Sequence, residues 1–425
     1  MVYPISLTPL WMENAAWPRP VDAPLPAHVD VLIVGAGYTG LSAARETAAA
    51  GRSTLVLDSG RFGAGCSSRN GGQVAYSIKP SFDTLRARFG AQRAFGICRE
   101  GLQAVEYLRT LALEIDCGWR ARGCFFAAHT PRHFTAMAHE AENQPRGLEQ
   151  NISVVPKAEQ AREIDSDFYH GGVVYHDDAS VDPTRMLLAL HARALQGGAS
   201  VVDHCGVSAV NSRRDGFEVM TSRGMVRARQ VLLATNGYSG ALSPWHRRRV
   251  IPIGSYQIAT EPLGLERVRS LIPAGRNIVD SRRVVIYFRP SADGERIVFG
   301  GRAALAEKDP RVCVPRLQQM MTRIFPQLKS VGASHAWVGW VAYTFDTLPH
   351  LGVHQGIHYC MGYCGQGVPL APYLGRRIAQ QMLGLDAGGT ALDGLPFPSR
   401  PYYRGTPWFL APSVLAYRLL DGIGL

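Results

Sequence analysis

Three glycines near the start of the chain have the type and spacing that a dinucleotide-binding turn requires. Gly35, Gly37 and Gly40 form the pattern G-x-G-x-x-G and follow the apolar run at residues 29–34, which is typical of a buried parallel strand. Glycines in these places permit a tight turn, a close approach of the backbone to a pyrophosphate, and close packing of the next helix. The N–H groups at the start of that helix would face the phosphates. The spacing therefore predicts a diphosphate site.

The residues after this turn predict a complete strand–helix–strand unit. Residues 41–50 are alanine-rich and suit a helix, Gly51 can end it, and residues 53–57 predict a second apolar strand that ends at Asp58. Asp58 lies close to the offset of ~20 residues at which a carboxylate accepts hydrogen bonds from a ribose. A purely structural unit is the alternative. The combination of turn, helix, strand and carboxylate favours dinucleotide binding.

Composition limits the class of protein. A chain of 425 residues with 46% hydrophobic and 19% charged residues is long enough for two ordinary globular domains. The eight cysteines form no C-x-x-C pair and suit reduced thiols, and no stretch approaches the ~18 apolar residues of a membrane span, so we expect a cytoplasmic protein without a metal site. The net charge of +11 is spread without a long basic run, so we expect no nucleic-acid partner. Arg247, Arg248 and Arg249 form the densest basic cluster, which we interpret as a solvated loop.

The order of the predicted elements indicates an α/β fold, α+β overall, in which two insertions interrupt the nucleotide-binding domain. Asp182 and Pro183 suit the start of a helix that runs to Gln196, and a glycine loop at residues 362–367 precedes a helix at about residues 368–383. The second insertion predicts mainly antiparallel strands, with a hairpin turn at residues 293–294. We predict a discontinuous nucleotide-binding domain at residues 28–80, 165–245 and 344–390, a substrate domain with a mixed, largely antiparallel sheet at 81–164 and 246–343, an N-terminal arm at 1–27 and a C-terminal packing segment at 391–425.

Eight segments in this order resemble the flavin-dependent amine oxidoreductases of the glycine oxidase and D-amino-acid oxidase superfamily, and most closely its bacterial γ-glutamylputrescine oxidase type. They are GAGYTGLSAA, GAGCSSRNGGQ, VDPTRMLLAL, VLLATNGY, IGSYQIATEP, IVFGGR, DTLPHLG and GYCGQGVPLAPYLG, and they span nearly the whole chain. The resemblance implies a Rossmann-type FAD-binding domain and FAD as cofactor. Some related sarcosine oxidases attach FAD through a cysteine just before the DTLPHLG segment, where this chain has Val341, Ala342 and Tyr343, so we expect non-covalent FAD.

The resemblance and the glycine-rich segments together predict the residues that hold FAD. Asp58 would bind the adenosine ribose, Val207 the adenine through its backbone, and the helix after Gly367 would place its positive end near N1 and the C2 carbonyl of the flavin. The full predicted set is Gly35, Gly37, Tyr38, Thr39, Gly40, Asp58, Ser59, Ser67, Ser68, Arg69, Asn70, Gly71, Gly72, Gln73, Val207, Ala234, Thr235, Gly237, Gly365, Gln366, Gly367 and Val368.

The reaction implied by the resemblance is oxidation of a C–N bond in an amine or amino acid, with hydride transfer to flavin N5 and hydrolysis of the resulting imine. Such chemistry depends on positioning in a dry pocket, so no catalytic triad is expected. Arg289 has the geometry to bind a substrate carboxylate, with an ion pair inside the fold as the alternative. His350 suits proton transfer or a structural hydrogen bond. The candidate residues are Tyr256, Tyr287, Arg289, Trp340, Tyr343 and Gln366.

Three alternatives remain at the level of sequence. The electron acceptor is either oxygen or a quinone or protein carrier; a second class is an RNA-modifying flavoprotein, and a third is a non-catalytic nucleotide-binding scaffold. Outside the domains, Trp11 and Trp17 are expected to anchor the N-terminal arm. The apolar segment at residues 408–420 is expected to pack on the body, with contact to a membrane surface as the alternative.

Overall fold

A computed structural model describes residues 4–20, 22–76, 78–305 and 308–422. Its strands are β1 (His28–Val34), β2 (Thr54–Leu57), β3 (Gln73–Val74), β4 (Cys124–Ala127), β5 (Ile152–Val155), β6 (Gly172–Tyr175), β7 (Ala179–Ser180), β8 (Ser200–Val202), β9 (Val207–Arg213), β10 (Gly216–Thr221), β11 (Gly224–Leu233), β12 (Ile251–Thr260), β13 (Asn277–Asp280), β14 (Ile286–Pro290), β15 (Ile297–Gly301), β16 (Ala333–Tyr343), β17 (His350–His354) and β18 (Ile357–Met361). Its α-helices are α1 (Tyr38–Ala49), α2 (Phe82–Phe89), α3 (Ala91–Glu114), α4 (Pro131–Glu142), α5 (Pro183–Gln196), α6 (Pro244–Arg247), α7 (Leu265–Leu271), α8 (Pro310–Ile324), α9 (Gly367–Met382) and α10 (Leu410–Gly422).

The first sheet contains the predicted dinucleotide-binding unit. Its main path is β17-β18-β11-β1-β2-β8, and β10 joins β11 to β9 at its side. The pairs β11–β1, β1–β2, β2–β8 and β11–β18 are parallel. Leu32 and Ile33 of β1 are fully buried in two different core clusters, so both faces of the sheet are covered. Burial on both faces explains why this strand is a continuous apolar run in the sequence.

The second sheet has the order β16-β12-β15-β14-β13-β4-β6-β5. Only the β13–β4 pair among these is parallel, so the sheet is mixed and largely antiparallel, as predicted. Helix α8 packs on one face, where Leu317 and Met321 share a core with Ile258 and Phe299. Residues on the other face of β12 and β16 contact the loop before β3, as described below.

Two segments lie with a different sheet from the one expected. Helix α3 was predicted in the substrate domain, but Ala94, Ile97 and Leu108 are buried in the core of α1 and α9, beside the first sheet. Strand β6 was predicted in the nucleotide-binding domain, yet it pairs with β4 and β5 in the second sheet. Both differences have the same cause. Apolar periodicity in the sequence shows that a segment is buried, but it does not show which sheet or helix the segment packs against.

The N-terminal arm closes the edge of the second sheet. The Ser6 N–H donates to the Ser334 carbonyl (2.9 Å), and the Ser6 carbonyl accepts from the Ala336 N–H (2.8 Å). Trp11 packs edge-on against Trp337, with ring centroids 5.1 Å apart, and Trp17 packs against Phe62 at 6.1 Å. The expected anchoring by the two tryptophans is confirmed, and the arm pairs with the otherwise open edge of β16.

Candidate cofactor and substrate site

The three motif glycines lie where three backbone segments meet. Gly35 has a φ of +110°, and a Cβ atom there would lie 2.8 Å from the Ala234 carbonyl oxygen at the end of β11. A Cβ at Gly40 would overlap the Gly35 carbonyl oxygen, and one at Gly37 would lie 2.9 Å from Ser67 Oγ. Any side chain would therefore fill the space in front of α1. These residues fit a diphosphate group approached by backbone N–H groups.

The adenosine end of the predicted site is organised around Asp58. Its carboxylate accepts the N–H groups of Ala36 (2.9 Å) and Gly60 (3.1 Å), and burial raises its pKa. The Asp58 carbonyl accepts the Cys205 N–H at 2.8 Å, so the chain that leads into β9 and Val207 lies beside it. Asp58, Ser59 and Val207 are thus close in space, which agrees with their prediction as one end of the cofactor site.

The loop from Ser67 to Gln73 is held by its own polar side chains. Ser68 is fully buried, and its Oγ donates to the carbonyls of Gly63 and Gly65. The Asn70 amide donates to the Ser67 carbonyl (2.9 Å) and accepts the Gly72 N–H (2.8 Å). Ser68 and Asn70 therefore shape the loop with their side chains, which leaves its backbone as the part that can meet a ligand.

Arg289 holds this loop through hydrogen bonds to backbone carbonyls. Its Nε donates to the Gly71 carbonyl (2.7 Å) and its Nη2 to the Val181 carbonyl (3.0 Å). The guanidinium is buried, and desolvation lowers its pKa to about 10 although Asp182 opposes that shift. Neither of the roles considered from the sequence matches these contacts. Two donor groups of Arg289 are engaged by backbone carbonyls, so the guanidinium joins the loop at Gly71 to Val181, just before α5.

Tyr256 lies on the wrong face of β12 for the predicted role. It is buried in the core with Ile258, and its hydroxyl accepts the Lys308 N–H at 2.9 Å. Its neighbours Ser255 and Gln257 point the other way, since side chains alternate along a strand. The Gln257 amide donates to the Arg69 carbonyl at 2.7 Å. Gln257 was not predicted from the sequence. It lies two residues after Ser255 and therefore shares its face of β12, but the sequence alone does not say that this face meets the loop.

The same alternation divides the candidates on β16. Trp337 donates from Nε1 to the Arg69 carbonyl (3.2 Å), and a Cβ at Gly339 would lie 3.1 Å from Arg69 Cβ. Trp340 has the opposite parity and pairs in register with Gly254, so the alternation places its side chain away from this loop. The alternation therefore separates Trp340 from the residues of β16 that contact this loop, whereas Tyr343 shares the parity of Trp337 and Gly339.

Two tyrosines converge at the end of the site that lies away from Asp58. Tyr287 donates to or accepts from Ser255 Oγ (2.7 Å), and its ring lies 3.0 Å from a Cβ built at Gly71. Burial raises the pKa of Tyr287, and the nearby Tyr343 adds to the shift. The Tyr343 hydroxyl lies 3.7 Å from a Cβ built at Gly365. The two side chains therefore connect the loop before β3 with the glycine loop before α9.

Lys79 was not predicted, and it lies at the same place. Its ammonium is 5.2 Å from the centroid of the Tyr343 ring, within the range of a cation–π contact. The side chain is exposed. Lys79 stands six residues beyond Gln73, past the end of the glycine-rich loop, and the sequence carries no pattern that marks it.

The start of α1 packs against the middle of α9 and against the residues that precede α9. Thr39 Oγ1 and the Tyr363 hydroxyl share a hydrogen bond of 2.6 Å, and a Cβ at Gly375 would overlap the Thr39 carbonyl. Gln366 is the N-cap residue of α9, in the half-buried loop before that helix, and its side chain makes no capping hydrogen bond. The N-terminal end of each helix is positive, which suits a group that carries negative charge. The predicted pair Gln366 and Gly367 lies here.

The β11–β18 edge supplies the last predicted residues. Asn236 has a φ of +43°, and its Oδ1 accepts the Gly362 N–H at 2.9 Å. Thr235 shares a hydrogen bond of 2.7 Å with Ser239, and a Cβ at Gly237 would lie 3.4 Å from the Trp340 carbonyl. The segment from Ala234 to Gly237 is therefore close to both the first glycine turn and the second sheet.

His350 has a structural role. It is buried, its Nε2 lies 3.1 Å from Asp346 Oδ1, and its ring stacks on Phe397 at 4.1 Å. Burial alone would raise the pKa of Asp346, but the hydrogen bond and charge of His350 lower it below its usual value. Of the two roles considered from the sequence, the structural hydrogen bond agrees with this geometry.

The part of the chain that the structure describes has free cysteines, no metal-binding cluster and no membrane-spanning helix. All eight cysteines are free thiols, and no cluster of three or more His, Cys, Asp or Glu side chains could hold a metal ion there. No helix in those residues is long and apolar enough to cross a membrane.

Comparison with known proteins agrees with the geometry. The family model described as FAD dependent oxidoreductase (DAO) matches residues 30–381. The chain is 31% identical to γ-glutamylputrescine oxidoreductase of Escherichia coli, over 93% of each chain, and 31% identical to a probable oxidoreductase, OrdL, of Rhizobium meliloti, over 98% of each. Its fold matches the crystal structure of glycine oxidase from Geobacillus kaustophilus with a TM-score of 0.74 at 20% identity, covering 89% of this chain and 100% of that one. This chain therefore belongs to the DAO family of FAD-dependent oxidoreductases, and FAD is its cofactor.

Proposed function

We propose that this oxidoreductase oxidises the C–N bond of a primary or secondary amine or amino acid. The observation that carries the proposal is the convergence of Tyr287, Tyr343 and the Gly365 loop at the end of the site remote from Asp58. A dinucleotide that extends from Asp58 past the glycine turn would bring its reactive end to these tyrosines. The E. coli relative, which by its name acts on γ-glutamylputrescine, supports an amine as the substrate.

The residues described above would hold FAD at three points. Asp58 would accept from the ribose, the N–H groups at the start of α1 would bind the diphosphate, and Gly367 and Val368 at the start of α9 would face the pyrimidine end of the flavin. Bound FAD supplies a two-electron acceptor for a hydride from the carbon next to the substrate nitrogen. The chain supplies position and exclusion of water.

The side chains of the second sheet would orient the amine. Tyr287 is held by Ser255, and its hydroxyl, whose pKa is raised further by burial, is protonated at neutral pH and can donate a hydrogen bond. A neutral amine that loses a hydride and a proton becomes an imine, and addition of water gives a carbonyl compound plus ammonia or an amine. No residue need form a covalent bond to the substrate.

The substrate that best fits this site carries a carboxylate. The exposed ammonium of Lys79 stands over the Tyr343 ring, so a positive charge lies beside the proposed substrate position. An amine with a carboxylate at its far end would be attracted, and a simple diamine would be repelled. Because the guanidinium of Arg289 is engaged with the loop, Lys79 takes the place of Arg289 in this proposal.

The test is anaerobic reduction of the purified yellow protein. We expect bleaching of the flavin by γ-glutamylputrescine or an amino acid, weaker bleaching by putrescine, and a loss of that preference in Lys79→Met. Arg267→Lys, an exposed change far from the tyrosines, is the control. A protein that is not reduced by any member of an amine and amino-acid panel would contradict the proposal. Hydrogen peroxide released in air would identify oxygen as the acceptor, and its absence with a bleached flavin would indicate a dehydrogenase.

A further inference from the structure

The C-terminal helix α10 exposes apolar residues to solvent, whereas a normal surface helix exposes its polar residues. Leu415, Ala416 and Leu419 are exposed and lie on one side at helical spacing, with exposed fractions of 50% for Leu415 and 65% for Leu419. A solvent-facing helix of a globular protein normally carries its polar residues on that side. Here the apolar residues face outward.

The polar residues of α10 are used to attach it to the body. The Asp421 carboxylate accepts the N–H groups of Arg283 (2.9 Å) and Val284 (3.1 Å). The Arg418 guanidinium donates to the carbonyls of Arg302 (3.0 Å) and Ala303 (2.9 Å). These four hydrogen bonds fix which side of the helix faces the body. The outward apolar side is therefore set by specific contacts and is not a result of fraying.

Aromatic residues immediately before the helix are exposed as well. Trp408 is 63% exposed, and its ring centroid lies 6.1 Å from that of the exposed Tyr402 and 5.8 Å from that of Phe409. We call the group Tyr402, Trp408, Leu415 and Leu419 the C-terminal surface. All four of its members are at least 50% exposed. Exposed tryptophan and tyrosine beside exposed leucine are the composition of a membrane-interface segment.

The charges around the C-terminal surface have one sign. Arg400 and Arg404 are exposed within the segment, and Arg247 contacts Gly405. At the other end, exposed Arg316 is close enough to Arg418 to lower its pKa, together with burial and Arg302. Between residues 400 and 422 the sole acidic residue is Asp421, whose carboxylate is engaged as described. The rim is therefore basic.

We propose that the C-terminal surface docks on an anionic lipid bilayer. Apolar and aromatic side chains would enter the interface between headgroups and acyl chains, while the rim arginines would contact lipid phosphates. A second copy of the chain is a poorer occupant, since a two-fold contact would bring the same arginines of two chains together. Helix α10 has 13 residues, against the ~20 needed to span a bilayer, so it would lie on the surface.

Vesicle co-sedimentation of the full-length, FAD-loaded protein tests this docking. We expect binding to vesicles of phosphatidylcholine with phosphatidylglycerol, little binding to phosphatidylcholine alone, and weakening with salt. The double variant Leu415→Ser with Leu419→Ser should lower the partition coefficient by about tenfold or more, because it removes two inserting side chains. Arg400→Gln with Arg404→Gln should reduce binding to the anionic vesicles alone.

Leu113→Ser is the matched control, because Leu113 is 87% exposed on α3 and belongs to neither the site nor the C-terminal surface. It should bind vesicles as the unaltered protein does, and all variants should keep their flavin spectrum and thermal midpoint. Failure of the unaltered protein to bind anionic vesicles, or equal binding by the double leucine variant, would overturn the proposal. A dimer in sedimentation velocity that the double leucine variant converts to a monomer would assign the surface to a second copy instead. Amine oxidation is measured separately, so failure of the docking leaves the proposed activity unaffected.

Discussion

The two ends of the proposed FAD site are built in different ways. At the diphosphate end, backbone atoms of Gly35, Gly40 and Ala234 approach so closely that side chains are excluded. At the tyrosine end, side chains from β12, β14 and β16 reach across from the second sheet, and Gln257 and Trp337 both donate to the Arg69 carbonyl. The diphosphate end requires residues without side chains. The tyrosine end requires side chains that point toward the loop.

This difference has a consequence for tolerance to change. A backbone cradle fails abruptly, because a carbonyl group cannot move away from an added methyl group. A wall of side chains can change one member at a time, because each makes only one or two hydrogen bonds. We therefore expect the diphosphate end to determine whether FAD binds and the tyrosine end to determine which amine is oxidised.

The largest effect is expected from Gly40→Ala. Its Cβ would overlap the Gly35 carbonyl, so α1 would have to move off β1 at a cost of about 3 kcal/mol or more in the free energy of unfolding. Flavin content after purification and the thermal midpoint should both fall. Gly240→Ala is the control, since its nearest neighbour would be 3.9 Å away. Full flavin content in Gly40→Ala would refute the backbone cradle.

Arg289→Lys should separate the two interpretations of that residue. A lysine keeps the charge but replaces the rigid pair of N–H groups that meets the Gly71 and Val181 carbonyls with a single ammonium, so we expect a loss of about 2–3 kcal/mol in stability and weaker FAD binding. Calorimetric unfolding and FAD titration of the apoprotein measure both. A raised KM for a carboxylated amine, with stability and FAD affinity unchanged, would instead show that Arg289 binds substrate.

Asp178 is buried just before β7, and this burial raises its pKa to about 8. The unfolded carboxyl has a pKa near ~3.9, so between these values the folded state binds more protons and stability falls as pH rises. Asp178→Asn should remove that slope and raise the free energy of unfolding by roughly 2 kcal/mol at alkaline pH, with little change near pH ~4. Denaturant unfolding across this range measures it. Asp177→Asn removes the exposed neighbour, whose charge adds less than burial to the raised pKa of Asp178, and should leave most of the slope in place. A slope that persists in Asp178→Asn would exclude the Asp178 carboxyl as its source.

The smallest effects are expected from a pair of tyrosines on opposite faces of the second sheet. Tyr343→Phe should change kcat/KM for amines by about tenfold and leave stability unaltered, since the hydroxyl lies at the Gly365 loop. Tyr256→Phe should cost about 1 kcal/mol in stability, because the Lys308 N–H loses its acceptor, and leave amine oxidation unchanged. Interchanged results for the two variants would mean that the two faces of the sheet are assigned wrongly.

Local order in the sequence was enough for the diphosphate end. This end is formed by elements that follow one another in the chain: the glycine turn, α1, β2 and Asp58. Their residue types therefore recur at a fixed spacing that can be recognised in the sequence. The parallel first sheet, the mixed second sheet and the helix after Asp182 also followed from apolar periodicity and capping residues. FAD followed from the order of eight segments, which the family match bears out.

Only the tertiary structure decided which face of each strand meets the site and which residues the side chains contact. Tyr256 and Trp340 were predicted at the site and lie on the other face, because strand periodicity separates two sets of residues without saying which set faces the ligand. Arg289, Lys79 and Gln257 acquire their partners across more than a hundred positions of sequence, at Gly71, Tyr343 and Arg69 respectively. The outward apolar side of α10 was equally hidden, since its direction is set by hydrogen bonds of Arg418 and Asp421 to distant backbone. The sequence by itself determined the cofactor and the framework of the fold, and long-range packing decided which side chains lie at the candidate site.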